Sequence, residues 1–174
     1  EEITIYYWIS VKLHRRRETL KNIWFYDYPI GEIGIIDDNG RVAGVCFGDS
    51  RDTAGFTVSK TQLLNEAAEQ LSEYFNGTRR DFELPLSLQG TEFQQRVWHT
   101  LRSIPYGETR SYKEIAIQIG RPRAARPVGM ANNKNPIAII IPCHRVVGHD
   151  GRLVGYGGGL HIKRYLLELE KRHA

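Results

Sequence analysis

The sequence predicts a small sheet with a helix packed on it, followed by a mainly helical region that contains a helix-turn-helix pair. Three observations favour this organisation: an Asn-Gly turn between two strand-like runs, a regularly spaced apolar helix, and further helix-capping signals beyond a proline-containing linker. The chain has 174 residues, enough for one large domain or two small ones.

The predicted sheet is centred on Asn39-Gly40, because Asn-Gly is a favoured two-residue hairpin turn. Strand-like runs at 34–36 and 42–47 flank the turn, and an earlier run at 23–26 predicts a further strand. These runs indicate a small antiparallel sheet in the first half of the chain.

One helix is predicted to pack on this sheet. Ser59–Gln62 has the form of a capping box, in which two side chains satisfy the free N–H groups at a helix start. Apolar residues then keep helical spacing as far as Phe75, and Asn76-Gly77 ends the run. We therefore predict an N-terminal α/β domain over residues 23–85.

Two segments bound this domain. Residues 3–11 carry apolar side chains at alternate positions, so we interpret residues 1–22 as either an extra strand or a leader outside the fold. At the other end, residues 81–89 contain a proline and are predicted to be a linker to a C-terminal domain of residues 86–174.

Capping boxes predict two helices in the C-terminal half. The box Thr91–Gln94 begins a helix whose apolar face extends to Ile104, and the box Ser111–Glu114 begins a short helix that ends at Gly120. A final helix is predicted from Leu160 to about Lys171.

Another short helix, from Arg123 to about Asn132, would complete a helix-turn-helix pair. Small side chains in this helix would let a backbone approach a groove closely. Pro127 is unfavourable inside a helix, so the helix either begins near Arg126 or is kinked. From the helices alone, a surface helix with ordinary arginines is an equal alternative.

The charge is distributed unevenly along the chain. Residues 1–85 hold 10 Lys and Arg against 14 Asp and Glu, whereas residues 86–174 hold 14 against 6, a net charge of +8. A strongly basic half predicts a polyanionic partner, which favours nucleic acid for the helix-turn-helix.

The composition excludes other classes of protein. The longest apolar run is far shorter than the ~20 residues of a membrane helix, so no membrane association is predicted. Two cysteines permit at most one disulfide, which is typical of a reducing, intracellular compartment. Cys46 lies within a strand-like run and is predicted to be a structural cysteine.

The second cysteine, Cys143, has the neighbours of a nucleophile. Residues Ile139–Ile141 are predicted to be a buried strand that Pro142 ends, which presents Cys143 at the edge of a rigid element. A thiolate is a nucleophile when a base accepts its proton, and His144 is the adjacent candidate. Glu170 could orient that histidine. A buried structural cysteine is the alternative.

A metal site is not predicted, because zinc requires about four ligands at suitable spacings and the chain has neither a CxxC nor an HxxxH pattern. No cofactor is predicted either. The glycine-rich loop at 148–159 could bring backbone groups close to a flat ligand.

Several blocks between residues 90 and 170 carry a family resemblance. In order they read Gly-Thr-Glu-Phe-Gln-Gln-Arg-Val-Trp, Ile-Pro-Tyr-Gly-Glu-Thr, Arg-Ala-Ala-Arg, Pro-Cys-His-Arg-Val and Gly-Tyr-Gly-Gly-Gly-Leu. The chain thereby resembles the O6-alkylguanine-DNA alkyltransferases, or methylated-DNA–protein-cysteine methyltransferases. The resemblance implies an RNase H-like α/β N-terminal domain, with a small sheet and a helix, followed by a mainly α, winged helix-turn-helix C-terminal domain.

The resemblance also implies a function: DNA repair by direct reversal. A methyl or larger alkyl group would move irreversibly from O6-alkylguanine in double-stranded DNA to Cys143, once per chain, and O4-alkylthymine is a further candidate substrate. The damaged nucleotide would be flipped out of the helix, because the O6 atom is inaccessible within the base stack. A monomer without cofactor is implied, acting in the cytoplasm, or in the nucleus of a eukaryote.

The resemblance assigns roles by matched position. His144, through a water, and Glu170 would form the proton relay of Cys143, and Tyr112 would donate to the departing guanine. Asn135 would hold the turn before the active site. The base pocket would be lined by Val146, Tyr156, Gly157 and Gly158. DNA contacts would come from Arg126, as the finger that fills the vacated stack, and from Ser111, Arg123, Ala125 and Gly129.

Three positions depart from the family pattern. Pro127 stands where the family often has Ala, and Gly157 stands where some members have Ser. The position after Asn135-Pro136 lacks the second proline of some relatives. The sequence leaves two rival functions open: a binding module for alkylated bases without transferase activity, and a cysteine hydrolase with repeated turnover.

Overall fold

The computed structural model describes residues 21–48 and 53–174, so the prediction for residues 3–11 lies outside the described residues. The N-terminal half forms a four-stranded sheet. Its strands are β1 (Lys21–Tyr28), β2 (Gly31–Asp37), β3 (Val42–Phe47) and β4 (Phe56–Val58). The strand order is β3-β2-β1-β4, with β1 and β3 antiparallel to β2, and β4 parallel to β1.

The predicted hairpin turn between β2 and β3 is confirmed. Asn39 and Gly40 have φ angles of 53° and 74°, the positive values that this two-residue turn requires. Asp38 and Arg41 close the turn with two backbone hydrogen bonds of 2.9 and 3.2 Å. Asn-Gly therefore sets the register of the two strands that follow one another along the chain.

Helix α1 (Gln62–Phe75) packs on the sheet and ends at Asn76, as predicted. Its predicted start was wrong, because Thr61, not Ser59, is the N-cap. The Thr61 hydroxyl accepts a bond from Leu64 N at 3.2 Å and donates to the Asp37 carboxylate at 2.7 Å. Ser59 N donates instead to the Ile23 carbonyl, so this residue continues the pairing of β4 with β1.

Both predicted capping boxes in the C-terminal half are confirmed. Thr91 and Gln94 cap helix α2 (Glu92–Leu101), and Ser111 and Glu114 cap helix α3 (Tyr112–Gln118). The last helix, α5, runs over Leu160–His173 and buries Ile162, Leu166 and Leu169.

The second helix of the pair, α4 (Ala125–Asn133), begins two residues before Pro127. The proline is therefore in the first turn, where a backbone N–H has no partner within the helix. Of the two predicted alternatives, a helix that starts near Arg126 is confirmed. Its N-cap residue, Ala124, provides no side-chain cap.

The predicted buried strand before Cys143 was wrong. Residues Ile139–Ile141 are buried, but they form a turn in which Ile139 has a φ of 70°. The side chain of Asn135 holds this turn, since it donates to the Ile141 carbonyl at 2.9 Å and accepts from Ile137 N at 3.1 Å. These bonds replace a strand ladder, and a single 3₁₀ turn (Cys143–Arg145) follows.

A two-stranded parallel sheet lies beside this turn. Strands β5 (Arg110–Ser111) and β6 (Val146–Val147) tie the start of α3 to the chain that leaves Cys143. One continuous core runs through both halves of the described chain. Cys46 lies in β3 as predicted, yet its side chain is exposed, because successive residues of a strand face opposite sides.

No helix within the described residues is long and apolar enough to cross a membrane. Within residues 21–48 and 53–174, no group of three or more His, Cys, Asp and Glu side chains is placed to hold a metal ion.

Candidate active site around Cys143

Cys143 begins the 3₁₀ turn and is 4% exposed. Its N–H donates to the Ile141 carbonyl at 2.7 Å, and its own carbonyl accepts from the Asn132 side chain at 3.2 Å. Burial raises the pKa of the thiol to about 11, against the opposing effects of a hydrogen bond from Asn135 and the charge of Lys163. At neutral pH the thiol is therefore protonated, and the formation of a thiolate requires a base.

His144 is the nearest candidate base along the chain. Its side chain and that of Glu170 are completely buried, and His144 Nε2 lies 2.7 Å from Glu170 Oε1. Burial would raise the pKa of Glu170, but the hydrogen bonds and charges of His144 and Arg145 outweigh it and lower the pKa to about 2. The carboxylate can only accept, so we assign the histidine proton to Nε2.

The other ring nitrogen, Nδ1, then carries a free lone pair. Burial lowers the pKa of His144, which keeps the imidazole neutral at physiological pH. Nδ1 is buried and has no hydrogen-bond partner among the residues that the structure describes. The ring is thus neutral, and within the described part of the chain its accepting nitrogen is left available.

Glu170 is held by donors from three other parts of the chain. Its Oε2 accepts from Gly107 N at 3.0 Å and from Arg145 Nε at 2.9 Å, and Arg145 also donates to the Ile104 carbonyl at 2.6 Å. The hydroxyl of Tyr74, from α1, donates to Oε1 at 2.7 Å. Sequence reasoning missed Tyr74, because nothing local to α1 indicates a partner 96 positions away.

Tyr112 is half-buried at the start of α3, and its hydroxyl donates to the Val154 carbonyl at 3.0 Å. The same carbonyl accepts from Lys163 Nζ at 2.9 Å, and Lys163 also donates to the Val146 carbonyl at 2.6 Å. Burial lowers the pKa of this lysine to about 8. Sequence reasoning missed Lys163, which is fully buried on the apolar side of α5.

A cavity of about 190 Å³ opens beside Cys143. Both halves of the chain contribute to its wall, which comprises Val45, Phe47, Asn132, Asn133, Asn135, Ala138, Cys143, Tyr156 and Gly157. Tyr156 packs against Phe47, with ring centroids 5.7 Å apart. The contribution of β3 to this wall was not predicted.

The two other predicted pocket residues lie beside the cavity rather than in its wall. Val146 is fully buried in β6. Gly158 lies against Phe47, where a Cβ atom would come within 2.8 Å of the phenyl ring. A side chain at Gly158 would therefore displace the aromatic wall.

The predicted DNA-contact residues lie on or next to helices α3 and α4. Arg123 and Arg126 are exposed, and Ala125 and Gly129 are half-buried on α4. The Ser111 hydroxyl accepts from Glu114 N at 3.2 Å as the N-cap of α3. The roles of these residues stay predictions.

Two family models match the chain in succession. Residues 24–88 match the ribonuclease-like domain of 6-O-methylguanine DNA methyltransferase, and residues 92–172 match the DNA-binding domain of the same family. A methylated-DNA–protein-cysteine methyltransferase from Mycolicibacterium paratuberculosis is 62% identical over 153 residues, covering 85% of this chain and 91% of the relative.

The chain belongs to the 6-O-methylguanine DNA methyltransferase family. A Methanosarcina acetivorans methyltransferase is also 47% identical over 148 residues, which are 83% of this chain and 95% of that protein. Mycobacterium tuberculosis OGT, solved in complex with DNA, has a TM-score of 0.83 and 48% identity, with 88% of this chain and 94% of that chain covered. The predicted family and fold class of this methyltransferase chain are confirmed.

Proposed function

We propose that the protein repairs DNA by transferring a methyl or larger alkyl group from the O6 atom of guanine to Cys143. The observation that carries the proposal is a buried cysteine at a small cavity, followed directly by a histidine whose Nε2 is bound to a buried carboxylate. The names of the methyltransferase relatives support the same reaction.

In the proposed reaction the thiol proton passes to His144 Nδ1 through a water, and the imidazolium that forms is stabilised by Glu170. The sulfur then bonds to the alkyl carbon as the bond from carbon to O6 breaks, and the electron pair of that bond stays with the guanine. Tyr112, turning from the Val154 carbonyl, donates a proton to the departing base. Tyr112 regains a proton from water and the imidazolium releases one to water, so the net products are guanine and S-alkylcysteine. A thioether is not readily hydrolysed, so each chain reacts once.

The proposed substrate is double-stranded DNA bound by a monomer of the protein. Arg126 is exposed on α4, where it can occupy the space left by a nucleotide that is flipped toward the cavity. The positive charge of residues 86–174 supports binding to the phosphate backbone, which makes affinity fall with added salt. We place the activity inside the cell, where DNA is, and we divide the chain into domains at 23–85 and 86–174.

The two rival functions predict different products. A binding module would bind alkylated DNA without modifying Cys143, although the nucleophile and the His144–Glu170 pair support transfer. A cysteine hydrolase would turn over repeatedly on a small ester or peptide and would not depend on DNA.

The test is incubation with duplex DNA that carries O6-methylguanine with a labelled methyl group. One equivalent of label per chain should appear on Cys143, and Cys143→Ala should accept none. Cys46→Ala is the matched control, because it removes the exposed thiol and should leave the stoichiometry at one. Multiple turnovers, or label on Cys143→Ala, would reject the mechanism.

A further inference from the structure

The hydroxyl of Tyr74 reaches the proton relay from the other half of the molecule. Tyr74 lies in the last turn of α1, within the part of the chain that matches the ribonuclease-like domain. Its side chain is fully buried, and its O–H donates to Glu170 Oε1 at 2.7 Å. The same hydroxyl oxygen lies 3.4 Å from His144 Nε2, so one tyrosine contacts both members of the relay.

The position of this hydroxyl is fixed by aromatic packing. The Tyr74 ring lies against Phe75, Phe82 and Tyr106, with centroids 5.5, 5.5 and 6.0 Å away. Burial and the charge of Glu170 raise the pKa of Tyr74 well above its ordinary value. The group therefore stays protonated and can only donate to the carboxylate.

A donor at Oε1 has two effects on the histidine. It fixes the oxygen that accepts the Nε2 proton, and so fixes which ring nitrogen is left basic. It also withdraws negative charge from that oxygen, which weakens the stabilisation of an imidazolium and lowers the affinity of His144 for a proton. Removal of the hydroxyl should loosen the carboxylate and raise the pKa of His144.

The other groups that act on this histidine do not duplicate the tyrosine. Charged and titratable groups around the pair are Glu170 and Lys163 from α5, Arg145 from the same 3₁₀ turn, Tyr74 from α1, and Tyr106 beside Glu170. Besides Tyr74 and His144, Arg145 also donates to Oε1, at 3.1 and 3.2 Å, but its shorter bond, of 2.9 Å, goes to Oε2. The hydrogen bond from Tyr74 to Oε1, at 2.7 Å, is shorter than those from Arg145 to the same oxygen, and its donor is uncharged.

We propose that Tyr74 is a positioning residue for alkyl transfer: its hydroxyl holds Glu170 Oε1 against His144 Nε2 and sets how readily His144 accepts the thiol proton. This role rests on the proposed function of Cys143 and His144. Through Tyr74, the ribonuclease-like half would contribute to the reaction without contacting the substrate.

The experiment compares Tyr74→Phe with Tyr28→Phe in single-turnover alkyl transfer from duplex DNA. Tyr28 is a matched control, because it packs on the same Phe75 ring but its hydroxyl donates to the Ala68 carbonyl of α1, at 3.0 Å, and not to Glu170. Tyr74→Phe should lower the rate at saturating DNA by about tenfold, the size expected for one hydrogen bond to a charged group. The loosened carboxylate no longer holds His144 in the orientation that accepts the thiol proton, and this loss outweighs the gain in basicity. The concentration of DNA that gives half the maximal rate should be unchanged.

The pH dependence of the transfer rate distinguishes a positioning role of the Tyr74 hydroxyl from a general loss of packing. The rate falls at low pH as His144 becomes protonated, and Tyr74→Phe should move this acid limb upward by roughly half a pH unit or more. A reduced rate with an unmoved acid limb, or a profile identical to that of Tyr28→Phe, would overturn the proposal.

A second substitution decides the question if Tyr74→Phe fails to fold. Incorporation of 3-fluorotyrosine at position 74 keeps the ring nearly unchanged and makes its hydroxyl a stronger donor, so the acid limb should move downward instead. NMR titration of the free protein should show a raised pKa of His144 in Tyr74→Phe and a lowered pKa of His144 in the 3-fluorotyrosine protein. This titration decides the role of Tyr74 even if wild-type protein transfers no alkyl group, which would refute only the proposed function.

Discussion

The two halves of the molecule contribute to the site in different ways. The half that matches the DNA-binding domain carries Cys143, His144 and Glu170 in or near recognisable sequence blocks. The half that matches the ribonuclease-like domain carries no such block, yet Tyr74 binds Glu170 and Phe47 forms a wall of the cavity. In the proposed reaction, one half therefore supplies the reacting groups and the other supplies part of their surroundings.

The largest expected effect is on the side of the reacting groups. Glu170→Gln should lower the transfer rate at least a hundredfold, since the histidine loses its carboxylate. It should also destabilise the fold by about 3–5 kcal/mol, because the buried charge of Arg145 is left without a partner. Rates and urea unfolding measure both effects. Glu168→Gln, an exposed position on the same helix, is the control, and equal behaviour of the two variants would contradict this view.

The acid stability of the protein should depend on the same carboxylate. The pKa of Glu170 is about 2 in the fold, below its ordinary value, so the ionised group stabilises the fold above pH 4–5. This contribution, about 3 kcal/mol, should be lost progressively as the pH falls from about 5 toward 2. Urea unfolding between these pH values should show a steeper loss for wild type than for Glu170→Gln; equal slopes would contradict the assignment.

A smaller effect tests the environment that β3 supplies. Phe47→Ala should widen the cavity beside Cys143 and raise the preference for O6-benzylguanine over O6-methylguanine by about tenfold, a change worth about 1.4 kcal/mol. Competition between the two substrates measures the ratio. Phe56→Ala, a half-buried position in β4 away from the cavity wall, should leave the ratio unchanged. An equal shift of the ratio in both variants would show that Phe47 of β3 does not determine substrate preference.

The smallest effect concerns the fold of the ribonuclease-like half alone. Thr61→Ala should destabilise the protein by about 1 kcal/mol, through loss of the cap on α1 and of the bond to Asp37, without altering the reactivity of Cys143. Ser59→Ala is the matched control and should be nearly neutral. A larger loss of stability in Ser59→Ala than in Thr61→Ala would contradict the assignment of Thr61 as the N-cap.

The sequence by itself determined the features that depend on neighbours along the chain. Asn39-Gly40 makes its turn through its own backbone preferences, and the two C-terminal capping boxes satisfy helix starts within four residues. Cys143 and His144 are adjacent in the sequence, so the hypothesis that they act as nucleophile and base needed no knowledge of the fold. The ordered blocks around them predicted the family.

Only the tertiary structure decided the features that depend on distant contacts. Residues Ile139–Ile141 have the composition of a strand, but Asn135 supplies hydrogen bonds that hold them in a turn. The cap of α1 is Thr61 because the sheet places Asp37 within reach of its hydroxyl. Tyr74 meets Glu170 across 96 positions, and no local pattern encodes that contact, because it arises when the two halves bury a common core.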